Sequence, residues 1–313
     1  MKLSFVIPCY RSENTIESVV NEIGVVVNNL DINDYEIILA NDCSPDNVWS
    51  VILKLAKNNP KVKGISLAKN FGQHSALLAG YSQASGDIVV SLDDDGQTPI
   101  DELGLLLNKV DEGYDVVYAY YEEIKQNAFR RFGTFMAQKM GESMIGQPKN
   151  LKGSSFYVAK KFVIDEMIKY TNPYPYLAGL VFRVTKNVTS VQTHHRKRME
   201  GKSGYSFKRL FALWFNGFTA FSVKPLELGA YVGIIFAVLG FLYAFITMIR
   251  KILHPEIIAG WSSVVSILLI LGGMILIMLG LIGEYVGRIY ISINESPQYV
   301  IKERTIDRDE IVS

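Results

Sequence analysis

The sequence predicts an α/β protein: a mostly parallel sheet domain, then a helix lying in a membrane interface, then two transmembrane helices. Three observations predict it. Short β-rich runs alternate with amphipathic ones through the first 112 residues, the pattern parallel strands produce because each needs a crossover connection. Residues 226–290 are dominated by apolar residues and glycine, unlike the mixed composition before them. Between the two, 207–221 is rich in Phe, Leu and Trp with Lys208 and Arg209 at its start, which suits a helix lying in the headgroup region.

The elements follow in order. Strands are expected at 3–8, 35–40, 62–67 and 87–92, with helices at 15–29, 47–58, 72–84 and 98–112 between and after them. A fifth strand at 115–120 precedes a helix near 129–144 and a mixed region to His195. The segment 196–209 then holds six basic residues, Arg196, Lys197, Arg198, Lys202, Lys208 and Arg209, against Glu200 alone. Domain limits are placed at 1–205 for the sheet domain, 206–225 for the interfacial helix, 226–290 for the membrane pair and 291–313 for a tail.

Two stretches, 228–249 and 261–282, are long and apolar enough to span a bilayer, which takes about 20 residues. The first apolar run, 3–8, is too short for a signal peptide, so the sheet domain is expected to stay in the cytoplasm, with the chain a multi-pass protein of the plasma membrane. Positive charge agrees: Lys208, Arg209 and Lys224 precede the first span and Arg288 and Lys302 follow the second, against Arg250 and Lys251 in the connecting loop. Cys9 and Cys43 have no CxxC spacing, so buried thiols in a reducing compartment are expected. Lys plus Arg number 32 and Asp plus Glu 31; no nucleic-acid partner is expected.

In open α/β sheets ligands bind beyond the carboxyl ends of the strands, and polar residues gather there. Asn41-Asp42-Cys43-Ser44-Pro45-Asp46 follows the second strand, Lys69-Asn70-Phe71-Gly72-Gln73-His74 the third, and Asp93-Asp94-Asp95 the fourth. Three adjacent carboxylates repel one another. A hard divalent cation, Mg²⁺ or Mn²⁺, offsets that repulsion because it takes oxygen ligands from one or two acids and from substrate phosphates; Gln97 adds a neutral oxygen. The rival is a helix cap before Thr98-Pro99, for which one aspartate suffices. Other chemistries fit less well. Pro8-Cys9-Tyr10-Arg11-Ser12-Glu13 lacks the glycines of a dinucleotide fingerprint, and Gly201-Lys202-Ser203 lacks the earlier glycine and the leading strand of a P-loop. His194 and His195, as strand neighbours, point to opposite faces.

The series Val6-Ile7-Pro8-Cys9-Tyr10, Asn41-Asp42-Cys43-Ser44-Pro45-Asp46, Lys69-Asn70-Phe71-Gly72-Gln73-His74-Ser75-Ala76 and Leu92-Asp93-Asp94-Asp95-Gly96-Gln97-Thr98-Pro99 resembles the family 2 inverting glycosyltransferases of GT-A fold. Within them it is most similar to the polyprenyl-phosphate (undecaprenyl- or dolichyl-phosphate) branch. Arg198-Met199-Glu200-Gly201-Lys202-Ser203-Gly204-Tyr205-Ser206-Phe207 and Gly283-Glu284-Tyr285-Val286-Gly287-Arg288-Ile289-Tyr290 extend the similarity over nearly the whole chain.

The resemblance implies roles residue by residue. Pro8, Tyr10 and Asp42 would line the nucleoside pocket, with Asp42 accepting from the base. Asp93 and Asp95 would be the outer acids of a DxD motif, holding Mg²⁺ or Mn²⁺ with Gln97 against the donor diphosphate. Asp94, the middle position, would point away, and its loss is expected to cost least. Arg130, Arg131 and Thr134 would contact the lipid phosphate, with Lys125 as a further candidate because Tyr121 stands where relatives often carry an arginine. Arg198, Ser203 and Tyr205 would belong to a loop closing over the diphosphate. Departures are Arg11 and Ser12 for the usual Asn and Glu, Asn41 and Cys43 for Asp and Gly, and Gly204 for Lys. Gly153-Ser154-Ser155-Phe156-Tyr157 also lacks the Asp and Arg of glucose- and mannose-using relatives, which argues for a different sugar.

The expected activity is transfer of one sugar from a nucleotide donor, a uridine one, to the phosphate of undecaprenyl phosphate with inversion, for cell-envelope glycan assembly. By resemblance the chain would be a homo-oligomer, with a tetramer as one form. A processive polysaccharide synthase would carry a Q-x-x-R-W motif, which Trp49, Trp214 and Trp261 do not supply. A non-catalytic membrane scaffold or flippase component would not need Asp42, Asp93, Asp95 and Gln97 at successive strand ends.

Overall fold

The computed structural model describes residues 1–121, 138, 141–142, 146–149, 151–172, 175–194, 224–253, 260–293 and 297–305. The chain divides into two compact units, Met1–Trp214 with Glu295–Ser313, and Phe215–Asn294.

The first unit opens with β1 (Leu3–Cys9), α1 (Ile16–Asn29), β2 (Tyr35–Asn41), α2 (Val48–Asn58), β3 (Val62–Leu67), α3 (Gln73–Tyr81) and β4 (Ile88–Ser91). A 3₁₀ turn (Ile100–Glu102) leads into α4 (Leu103–Asp111), followed by β5 (Val116–Tyr121), β6 (Tyr157–Lys160), α5 (Lys161–Ile168), α6 (Leu177–Val184) and β7 (Val188–Thr193). The alternation read from the sequence is therefore present. One sheet of eight strands results, in the order β7-β5-β6-β4-β1-β2-β3-β8, where β8 (Ile301–Arg304) comes from the far end of the chain. β1 runs parallel to β2 and β4, β2 to β3, and β5 to β7, while β6 and β8 run antiparallel to their neighbours.

Burial explains why these residues form strands. β1 is buried at every position, as a central strand with both faces covered must be. On one face Phe5, Ile7, Ile37, Leu39 and Val90 pack with Ile16, Val19, Ile23, Ile52 and Leu106 of the helices. On the other face α3 lies against β1 and β2, and it is buried on every side from Ser75 to Tyr81. Gly80 allows that approach: a Cβ there would stand 2.4 Å from Val6 Cγ1.

β8 lies in the segment expected to be a tail, but it pairs with β3. Trp49 Nε1 donates to Glu303 Oε2 at 3.3 Å, Gly64 N–H donates to Thr305 Oγ1 at 3.0 Å and Thr305 N–H to the Gly64 carbonyl at 3.0 Å. Lys302, Glu303 and Arg304 put charge on what is now the outer strand, a usual protection of sheet edges.

The second unit holds α7 (Lys224–Leu253) and α8 (Trp261–Ile293), which touch each other. Among the described residues one helix is long and apolar enough to cross a membrane, over Ile270–Gly287 in α8 with mean hydropathy 1.9; α7 carries a shorter apolar stretch, Tyr231–Tyr243. Large apolar side chains on both are exposed, Phe241 by 73% and Leu276 by 70%. In water that surface would be costly, at roughly 25 cal/mol per Å². Of the two spans expected from the sequence, the second coincides with a helix that meets the length and apolarity of a span, and the first with a helix whose apolar stretch among the described residues is shorter.

Candidate active site

Between β1 and β4 the sheet order reverses: β2 and β3 follow on one side of β1, β4 on the other. Loops leaving the carboxyl ends of β1 and β4 diverge at such a point and leave a crevice. Pairing of β1 with β4 ends at Val6 and Ser91, while pairing of β1 with β2 runs on to Cys9 and Asn41. Pro8, which has no N–H to give a ladder, falls past the end of the β4 pairing.

The acidic triplet leaves β4 at this point and meets the loop after β1. After β4 the chain leaves extended conformation and bends through Asp94, Asp95 and Gly96, the last at φ 71°, where glycine is at ease. Asp95 Oδ1 accepts the Gln97 N–H at 3.0 Å, a side-chain-to-backbone turn that short acids favour. Asp93 accepts from Gln73 Nε2 at 2.8 Å on Oδ1 and from Ser155 Oγ on Oδ2. Asp94 Oδ2 accepts the Tyr10 N–H at 2.9 Å, and its carbonyl accepts from Thr15 Oγ1 at 2.6 Å. Burial raises the Asp94 carboxyl to about 6, with Asp93 adding to the rise and bonds from Ser12 and Tyr10 opposing it.

Asp94 is thus no bystander. The alternation that would turn it outward holds only for an extended segment, and this segment is bent. Its side chain ties the loop after β4 to the loop after β1.

The loop after β2 joins the same assembly. Asp42, almost fully buried, accepts the Phe71 N–H at 2.7 Å and the Gly72 N–H at 2.8 Å, one on each oxygen. Burial raises its pKa and these two bonds lower it, with burial prevailing. Arg11 N–H donates to Ser44 Oγ at 2.7 Å, Glu13 N–H to Asp46 Oδ2 at 3.0 Å and Asn47 N–H to Glu13 Oε2 at 2.8 Å. Arg11 and Cys43 both take positive φ, 59° and 50°. Tyr10 projects from this frame, 43% exposed, with the Arg11 guanidinium 5.6 Å from its ring centre. Cys9 is buried, whereas Cys43 is exposed rather than the buried thiol expected.

The structure therefore brings Pro8, Tyr10, Asp42, Asp93, Asp95 and Gln97 to the carboxyl ends of three adjacent strands. It adds contacts the sequence reading did not assign. Gln73 and Ser155 hold Asp93. Tyr121, at the end of β5, has its pKa raised by burial and further by Asp93, Asp95 and Glu102, so its phenol belongs to the acidic crevice. His74 Nδ1 donates to the Pro175 carbonyl at 3.0 Å beside the Tyr176 ring, and burial lowers its pKa. His194 is engaged by Glu102, through its N–H and through Nδ1, each at 2.9 Å. Lys125, Arg130, Arg131, Thr134, Arg198, Ser203, Tyr205, His195 and the interfacial helix at 206–225 lie outside the described residues.

As a metal site the donor set is all oxygen, from Asp93, Asp95 and Gln97, the chemistry hard cations prefer. Among the described residues no three His, Cys, Asp or Glu side chains already close around one point. Mg²⁺ and Mn²⁺ sites that complete their shell with substrate phosphates and water require only one or two protein carboxylates, so the set fits.

The family model described as glycosyl transferase family 2 matches residues 4–168, the part of the chain that builds this crevice. The chain belongs to glycosyl transferase family 2. The model described as GtrB C-terminal hairpin matches residues 224–289 of this family 2 chain, α7 and nearly all of α8. The chain is 33% identical over 304 residues to an uncharacterized glycosyltransferase of Bacillus subtilis, YkcC, with 97% of this chain and 94% of that protein covered. It is 30% identical over 313 residues to an undecaprenyl-phosphate 4-deoxy-4-formamido-L-arabinose transferase of Enterobacter sp. (strain 638), covering 99% and 95%. With the hairpin match these relatives bear out the resemblance: the chain is a glycosyltransferase of the polyprenyl-phosphate branch. Among solved structures, glucosyl-3-phosphoglycerate synthase of Mycobacterium tuberculosis in complex with Mn²⁺ and UDP-glucose superposes with a TM-score of 0.52 at 18% identity, over 70% of this chain and 77% of that one. At that identity the likeness establishes the GT-A-like fold.

Proposed function

We propose that this enzyme transfers one sugar from a UDP-sugar to the phosphate of undecaprenyl phosphate, with inversion, at the cytoplasmic face of the plasma membrane. The product is a β-linked lipid phosphosugar for cell-envelope glycan assembly. The observation that carries the reading is the acidic loop after β4, locked to the loop after β1 at the reversal point of the sheet. Relatives named for transfer to undecaprenyl phosphate support the acceptor, and the fold neighbour holding Mn²⁺ and UDP-glucose supports the donor and ion.

In this reading Pro8, Tyr10 and Asp42 line the nucleoside pocket. Asp42, already holding two backbone amides, keeps free lone pairs for a base N–H. Asp93, Asp95 and Gln97 hold Mg²⁺ or Mn²⁺ at the donor diphosphate. The bound ion supplies Lewis-acid stabilisation of charge on the departing nucleoside diphosphate. The acceptor phosphate is anionic near neutral pH, so no general base is required; in-line positioning and charge neutralisation suffice. Lys125, Arg130, Arg131 and Thr134 receive that phosphate, and Arg198, Ser203 and Tyr205 close over the diphosphate. α7 and α8 form a two-span hairpin, 206–225 lies in the interface, and the chain assembles as a homo-oligomer, with a tetramer the form to test.

The test is direct. Purified full-length chain in detergent is given undecaprenyl phosphate, Mn²⁺ or Mg²⁺ and a panel of nucleotide sugars, and the lipid product is identified by mass. A lipid phosphosugar from one UDP-sugar is expected; free sugar alone, or no lipid product from any donor, overturns the proposal.

A further inference from the structure

We propose that Gln73 and Ser155 are positioning residues which fix the Asp93 carboxylate in the orientation that the divalent ion and donor require, an inference resting on the function proposed above. The geometry is two-sided. Gln73, the first residue of α3, donates Nε2 to Asp93 Oδ1 at 2.8 Å, and Ser155, just ahead of β6, donates Oγ to Oδ2. A carboxylate held on both oxygens cannot turn about its last torsion, which is otherwise broad.

Both donors are neutral. They orient Asp93 without bringing a positive charge of their own against it. Asp93 needs outside support, because its own segment has left the sheet: β4 ends at Ser91 and the chain bends from Asp94.

The donors stand on rigid supports. Ser155 is flanked by Ser154, whose Oγ donates to the Ala119 carbonyl at 2.9 Å, and by Phe156, whose carbonyl accepts the Ala119 N–H at 2.9 Å. That seat lies between β5 and β6. Gln73 begins a helix buried from Ser75 onward. Groups that orient a metal's ligands in this way typically change metal affinity by about 10–100-fold when removed.

Metal binding can be read apart from turnover. Full-length protein in detergent with UDP is titrated with Mn²⁺, free ion being followed by electron paramagnetic resonance. Gln73→Ala and Ser155→Ala are each expected to raise half-saturating Mn²⁺ by about tenfold or more, and Ser155→Thr to restore the parent value. Sugar transfer by both alanine variants is expected to recover at saturating Mn²⁺. Gln73 is exposed, so its variant decides the matter should Ser155→Ala fold poorly. Parent-like Mn²⁺ affinity in Gln73→Ala overturns the inference, as does failure of Ser155→Thr to restore what Ser155→Ala lost. Asp95→Ala separates the two layers. If it loses Mn²⁺ binding while Gln73→Ala and Ser155→Ala bind as the parent does, only the positioning roles fall; if it too binds and turns over normally, the metal site at Asp95 falls with them, and the proposed function falls only if the parent itself makes no lipid product from any donor.

Discussion

At the amino ends of the strands Glu36 is buried among donors; at the carboxyl ends Asp42 is buried and Asp94 half-buried, yet their electrostatics run the other way. Glu36 Oε1 accepts from Ser4 Oγ at 2.6 Å and from Ser85 N–H and Oγ at 2.7 and 2.9 Å, while Oε2 pairs with Lys63 at 2.6 Å. Burial alone would raise its pKa, but these partners prevail and hold it at about 2. Asp94 is raised to about 6 instead. One end of the sheet has its charge cancelled within the protein. The other keeps charge in a low-dielectric crevice, the condition under which a bound cation is held most strongly.

The comparison can be broken in order of effect. Asp95→Ala is expected to cut sugar transfer by ~10²–10³-fold while leaving the thermal midpoint near that of the parent; normal transfer rates would remove Asp95 from the site. Glu36→Gln is expected to do the reverse. It should cost about 1.5–3 kcal/mol of stability, the scale of hydrogen bonds to a charged group, measured by denaturant unfolding, with transfer per folded molecule unchanged. Asp94→Ala should cost about 0.5–1.5 kcal/mol through loss of the bond to the Tyr10 N–H and lower transfer too. Asp94→Asn, whose amide oxygen still accepts that bond, should recover most of the loss.

The pH dependence supplies the finest distinction. Glu36 has a folded pKa below its ordinary 4.5, so its stabilisation is complete above about 4.5 and is lost as pH falls toward about 2. Asp94 has a folded pKa above its ordinary 3.8; its penalty is absent below that value and complete above about 6. Thermal midpoints of metal-free protein should therefore lose their fall between pH 4 and about 6 in Asp94→Asn, and lose part of their acid sensitivity in Glu36→Gln. Identical pH profiles for the two variants would contradict the assignment. The smallest effect belongs to Trp49→Phe, which removes the bond to Glu303 and should cost about 0.5–1.5 kcal/mol.

How much of this was legible depended on the range of the interactions. The strands from Leu3 to Tyr121 and their helices follow from local periodicity, and Asp42, Asp93 and Asp95 follow from their places just past strand ends. Ser155 could not be read in the same way, because its partner Asp93 lies 62 residues away. A serine in a Gly-Ser-Ser run carries no local mark of that contact. β8 was hidden for a related reason: its four residues include three charged ones, and only the β3 edge makes them a strand. Asp94 was misread by extending a strand's alternation one bend too far.

β8 also sets an order of events during synthesis. The open edge of β3 is complete by Leu67, but the strand that covers it is encoded after α7 and α8. Until residues 301–305 emerge from the ribosome, Gly64 lacks its partner Thr305 and Trp49 its partner Glu303. The catalytic sheet is therefore finished last, after the chain has already committed its apolar helices.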